Sequence, residues 1–185
     1  MTRFVAFFRG INVGKARRLA MADLRALFLA LGYGDPRTLL NSGNVVFSGG
    51  ADAERVHAAR IRTAVASRLG VDAPVIVKTA GALRTVVAEN ALAASAGDAS
   101  RLLVALVDDP QLLRRLGRPP GAADDASALH VGAEAAYLWC PQGILKTPAA
   151  LHWLGGLGKG VTTRNWATIV KLEGMLRAGT PGAQR

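Results

Sequence analysis

From Phe4 to Val77 the apolar residues alternate between short runs and helical stripes, in an order that few folds accept. Phe4–Phe8 is short, apolar and aromatic-rich, as strands are. Leu24, Leu27, Phe28 and Leu31 recur at i, i+3, i+4 and i+7, the spacing of an amphipathic helix, and Gly32 can end it. Arg37–Leu40, after Pro36, and Val45–Phe47 read as the strands of a hairpin around the turn Asn41-Ser42-Gly43-Asn44. Asp52 stands as the cap of a second helix with Ala58, Ile61, Val65 and Leu69 inward and Gly70 at its end. Val75–Val77 closes the series as a fourth strand. The order β-α-β-β-α-β is that of a ferredoxin-like lobe.

The second half follows the same pattern in part. A connecting helix carries Leu83, Val86 and Val87 inward, with Thr79 as its cap. The Ala-rich stretch Asn90–Ser100 reads as a link between lobes. Leu102–Val107 is an uninterrupted apolar strand, expected to be buried on both faces or between lobes. Asp109-Pro110 starts a short helix with Leu112, Leu113 and Leu116, and Gly117–Asp125 reads as a loop. Leu129/Val131 and Tyr137/Trp139 alternate across a turn near Gly132 as a second hairpin. Thr147-Pro148 opens a helix, and Gly155–Gly160 reads as a glycine-rich joint. Thr162-Thr163-Arg164-Asn165 is expected to open the last helix, with Trp166, Ile169, Val170 and Met175 as its inward stripe. Residues from Gly179 onward read as a frayed tail. The expected architecture is α+β, two ferredoxin-like lobes with largely antiparallel sheets. The first lobe with its connecting helix spans 1–90, and the second lobe with the C-terminal helices spans 91–185.

Composition narrows the setting. No apolar run approaches the roughly 20 residues of a membrane span, and Phe4–Phe8 is too short for a signal-peptide core. A single cysteine, Cys140, rules out an intrachain disulfide and fits a reducing compartment, so a cytoplasmic protein with no membrane partner is expected. Lys and Arg number 23 against 13 Asp and Glu, a formal charge of +10. Such a surplus favours polyanions, although the basic residues are spread along the chain and not blocked.

The stretch Gly10-Ile11-Asn12-Val13-Gly14-Lys15 after the first strand invites comparison with a nucleotide phosphate loop. That loop needs G-x-x-x-x-G-K-[ST], with enough backbone to wrap a phosphate and a hydroxyl for the metal. Here the two glycines are one residue too close and Ala16 stands at the hydroxyl position. The apolar helical stripe begins only at Leu24, and a hairpin follows in place of a parallel crossover. The motif is not a P-loop, and Gly156–Lys159 fails in the same way. What remains is a basic loop, Arg9 to Arg18. In a ferredoxin-like sheet the first strand ends on the edge where the hairpin of the second and third strands turns. Arg9, Asn12 and Lys15 are therefore expected beside Asn41, Ser42 and Asn44, two polar loops converging on one rim. Both asparagines also suit turns, where they bond local carbonyls.

The segments RGINVG, LNSGNVVF, YLWCPQGILKT and TTRNWATIVKL, in this order, resemble a bacterial family of unknown function, DUF1697, over roughly Arg3 to Met175. The resemblance implies two fused ferredoxin-like lobes and no established activity. The chain departs from the family at Ala167, Cys140 and Thr147, which weakens any shared chemistry assigned to the last helix or to the loop Pro141–Thr147.

Other chemistries find little support. Thr163 and Arg164 at a helix start would suit an anion, through free amides and a guanidinium fork. RNA recognition by an RRM-like sheet needs exposed aromatics, but Phe4, Phe8 and Phe47 lack the RNP1 spacing and are expected to face helices. Ser42 is not in G-x-S-x-G, and none of His57, His130 or His152 is marked as its base. His57 falls on the outer side of its helix. Cys140 carries no mark of an activated thiol, no spacing suggests a metal site, and no cofactor is indicated. The leading expectation is a binder of a phosphate-bearing ligand, plausibly nucleic acid. Arg9, Lys15 and Arg164 neutralise phosphates in this reading, Asn12, Asn41 and Asn44 orient them, and Ser42, Lys146 and Thr163 complete the rim. Two readings stay open beside it: an enzyme for a small anionic metabolite or nucleotide in the inter-lobe cleft, and a homodimeric interaction module.

Overall fold

The computed structural model describes residues 1–14, 18–116 and 129–178. Lys15, the loop expected at Gly117–Asp125 and the tail expected from Gly179 lie wholly or largely outside them. The chain divides into two compact units, Met1–Gly81 with Leu172–Arg185, and Ala82–Lys171.

In the first unit β1 (Thr2–Phe8), β2 (Gly34–Leu39), β3 (Asn44–Gly49) and β4 (Val75–Thr79) form one sheet in the order β2-β3-β1-β4, every neighbour antiparallel. Helices α1 (Met21–Ala30) and α2 (Glu54–Leu69) join the strands as the apolar periodicity predicts. The face carrying Phe4, Ala6, Phe8, Val45, Phe47 and Val77 packs with Leu24, Leu27 and Phe28 of α1 and Ile61 and Val65 of α2. Each of these large side chains contributes about 1.5–3 kcal/mol by leaving water. The other face is buried as well, at Val5, Phe7, Val46 and Ile76. From that second face Arg3 donates to the carbonyls of Met175 and Leu176, and Arg37 donates to that of Met175. These carbonyls close the last turn of α6 (Trp166–Arg177) and have no partner within the helix.

The second unit repeats the plan. Strands β5 (Leu102–Val107), β6 (Leu129–Val131), β7 (Ala135–Trp139) and β8 (Val161–Asn165) take the order β6-β7-β5-β8, again all antiparallel. The helices are α3 (Ala80–Ala88), which leads in, then α4 (Gln111–Leu116) and α5 (Pro148–Gly156). Ala105, Val107, Ala136, Leu138 and Val161 form a core with Trp153 and Leu157. The opposite face is closed too: Leu102, Val104, Leu106 and Tyr137 are buried, and the Tyr137 hydroxyl donates to the Val86 carbonyl of α3 at 2.7 Å. Among the described residues no helix is long and apolar enough to cross a membrane.

Four local expectations are corrected. Thr162–Asn165 is the strand β8 and not a helix start, because β-branched Val161, Thr162 and Thr163 suit a pleated strand and pair with β5. The cap of α6 is Asn165, whose Oδ1 accepts from the Thr168 amide at 2.9 Å. Helix α2 starts after Ala53 and takes no cap from Asp52. Its buried stripe is His57, Ile61, Ala64 and Val65, which turns His57 inward. In α6 the buried residues include Ile169, Leu172 and Leu176, and Val170 is exposed.

Candidate functional site

The loop after β1 and the turn between β2 and β3 meet, and backbone bonds hold them there. The Phe8 amide donates to the Gly43 carbonyl at 2.9 Å. Gly43 sits at φ +75°, and a Cβ on it would stand 2.4 Å from Ile11 Cδ1 and 2.8 Å from Phe8 Cβ. Only glycine lets the turn approach so closely. Asn12, at φ +55°, donates through Nδ2 to the carbonyls of Leu19 (2.9 Å) and Asn41 (2.8 Å), while its Oδ1 accepts from the Leu19 amide (2.8 Å). Asn12 thus fastens three backbone segments. Asn44 is fully buried and donates to the Leu39 carbonyl and to Ser42 Oγ, each at 3.0 Å. Both asparagines act as turn residues. Asn41 and Ser42 are exposed, and Arg9 is half-buried.

Where these segments meet lies a pocket of about 380 Å³, lined by Asn12, Arg18, Leu19, Ala20, Met21 and Asn41. It opens on the first turn of α1. Ala20, in the N-cap position, has no side-chain acceptor, so that residue leaves the leading amides of the helix uncapped. Arg18 is exposed at the margin, and Asp23 is exposed in the first turn. Ala20 and Met21 were not among the residues singled out from sequence, and Arg18 entered only as the end of the basic loop. The only sequence signal for them was a helix start, Ala20-Met21-Ala22, without a capping residue.

Lys146, Thr163 and Arg164 belong to the second unit. Lys146 is exposed on a single 3-10 turn, Ile144–Lys146. Thr163 lies in β8 opposite Ala105. Arg164, in the same strand, donates to Thr162 Oγ1 at 3.0 Å and to the Thr163 carbonyl at 2.8 Å. Burial pushes its guanidinium pKa down to about 10. With Arg164 inside β8, the helix-start amides expected beside it are at the next residues along, where Asn165 already caps one.

Several other polar groups are buried. His57 is 1% exposed, accepts or donates through Nδ1 to the Tyr33 hydroxyl at 2.9 Å, and touches the rings of Phe4 and Phe47. Burial raises the pKa of Tyr33 and of Cys140. Lys78 is 1% exposed, with Nζ 3.8 Å from Glu54 Oε2. Among the described residues no three His, Cys, Asp or Glu side chains gather closely enough to hold a metal ion.

A family model described as "Protein of unknown function (DUF1697)" matches residues 1–137. No curated protein matches the chain. Among solved structures, the chain is similar to the conserved bacterial protein SP0830 from Streptococcus pneumoniae, with 22% identity and a TM-score of 0.68. That likeness covers 95% of this chain and 98% of the other, and it is one of fold.

Proposed function

The chain belongs to the DUF1697 family of proteins of unknown function, and we propose that its first unit binds a phosphate-bearing ligand, nucleic acid above all, at the rim between the β1 loop and the β2–β3 turn. One observation carries the reading: the pocket of about 380 Å³ that opens on the uncapped first turn of α1 with Arg18 at its margin. Leading helix amides and the macrodipole, worth roughly half a positive charge, attract an anion. Arg18 can add a two-pronged guanidinium contact. Asn12 shapes the pocket and keeps its place through the Leu19 and Asn41 carbonyls. Lys15 adds charge from the same loop, and the formal +10 of the whole chain draws polyanions toward it. Asp23 works against an anion here, so its removal strengthens binding.

The test is a titration of isotopically labelled protein with pyrophosphate, read at backbone amides. Shifts centred on Met21, Ala22 and Asp23 are expected, with Arg18→Ala weakening binding about tenfold for one lost charge-assisted bond and Asp23→Asn tightening it. Shifts scattered over the basic surface, unaltered by Arg18→Ala, refute the reading.

A further inference from the structure

Two exposed aliphatic side chains flank this rim. Val13 is 71% exposed and Leu40 is 58% exposed. Each is the direct neighbour of one end of the Asn12–Asn41 bond, so the two tips are held as one feature. Leu40 also sits at φ +60°, a left-handed conformation that a leucine rarely adopts. The turn between β2 and β3 therefore carries a backbone cost at an exposed apolar residue. Arg9 and Arg18 add positive charge from the same loop.

The rest of the molecule limits what such a rim can recognise. Single-stranded nucleic acids are held by aromatic side chains on which bases stack, from open sheet faces or grooves. Here both faces of each sheet are buried, and among the described residues the exposed large hydrophobics include no aromatic. Among its described residues this rim offers bases no exposed aromatic platform. Proteins that read duplexes by backbone and shape need something different: cations for phosphates and a few aliphatic wedges for the groove or the base step.

Resting on the phosphate-binding reading above, we propose that the ligand of this rim is a double-stranded nucleic acid. Its backbone phosphates meet Arg18 and the α1 amides, and Val13 and Leu40 enter the adjoining groove as wedges. Arg9 and Arg18 beside the tips are complementary in charge to the polyanionic duplex, and the wedges distinguish a groove from a bare phosphate.

The experiment measures binding of labelled duplex DNA, duplex RNA, the single strand of the same sequence and phosphatidylglycerol vesicles, at several salt concentrations. Variants are Val13→Ser, Leu40→Gly, their combination, and Arg18→Ala. Leu40→Gly removes the wedge while relieving the positive φ, so its loss of binding is not a loss of folding. A duplex is expected to bind more tightly than the single strand, the arm with DNA or RNA naming the helix form. The combined wedge variant should weaken duplex binding about tenfold with an unchanged salt slope, because phosphate contacts persist. Arg18→Ala should reduce that slope by about one. Preference for the single strand, an unchanged duplex affinity in the wedge variant, or wedge-dependent binding to vesicles alone overturns the proposal, as does absence of any duplex binding. Pyrophosphate shifts at Met21–Asp23 that survive such a result leave the anion pocket standing and remove only the duplex.

Discussion

Replacing Gly43 with alanine tests the contact that builds the rim. Gly43 lies at φ +75°, where an L-residue costs about 1–2 kcal/mol more than glycine. A Cβ there would also stand 2.8 Å from Phe8 Cβ, which is fixed at the end of β1, and 2.4 Å from Ile11 Cδ1, which can swing aside. Forcing one methyl into such a site costs about 1–3 kcal/mol more. Gly70 is the control: it has φ +68° in the same unit, and a Cβ there would meet nothing within 4 Å. Gly70→Ala should therefore show the conformational term alone, about 1–2 kcal/mol, and Gly43→Ala the sum, about 2–5 kcal/mol. Urea unfolding followed by far-UV circular dichroism gives the comparison. Hydrogen exchange at the Phe8 amide, which donates to the Gly43 carbonyl, gives a local reading. Equal costs for the two variants, with Phe8 protection retained in Gly43→Ala, would refute the close approach of turn and loop.

Three further outcomes follow from the packing. His57→Phe should cost only about 0.5–1.5 kcal/mol, the net worth of its bond to the Tyr33 hydroxyl, since Arg60 remains a partner for that hydroxyl; a cost above about 3 kcal/mol in urea unfolding would contradict this. Arg37→Ala removes a donor to the Met175 carbonyl and should cost about 1–3 kcal/mol, seen as faster hydrogen exchange in β1–β4; unchanged exchange there would show the bond to be idle. Burial raises the pKa of both Tyr33 and Tyr137 above the ordinary value, so each favours the folded state only while protonated. Stability should hold below pH 10 and fall as pH rises beyond it, with tyrosinate absorbance appearing later in the folded protein than in urea; coincident titrations would argue against the burial.

Much of this fold was legible because its signals are local. The stripes Leu24/Leu27/Phe28 and Ile61/Val65, and the apolar run Leu102–Val107, report burial directly through their spacing. The convergence of Asn12 with Asn41 followed from strand order alone. Elsewhere two local signals competed. Thr162-Thr163-Arg164-Asn165 looks like a helix start, yet the strand β5 needed a partner, and pairing outweighed capping. His57 was read outward because histidine is polar, although it stands four residues before Ile61 on the same stripe. The pocket at α1 is built from backbone amides and an Ala20 that withholds a cap, features that leave no distinctive side chain to read. Nor could the landing of α6 on Arg3 and Arg37 be seen, because no spacing encodes contacts between residues so distant in the chain.

That distant contact has a consequence for biosynthesis. Arg3 and Leu176 are separated by 173 positions, while the second unit is one continuous stretch, Ala82–Lys171. A ribosome delivers β1 before the second unit, and the turn that Arg3 holds after it. Closing so long a loop is entropically slow unless the intervening chain has already compacted. The second unit can compact as soon as its own strands are free. Strand β1 thus waits for the carbonyl partners of Arg3 until the whole of the second unit has been made.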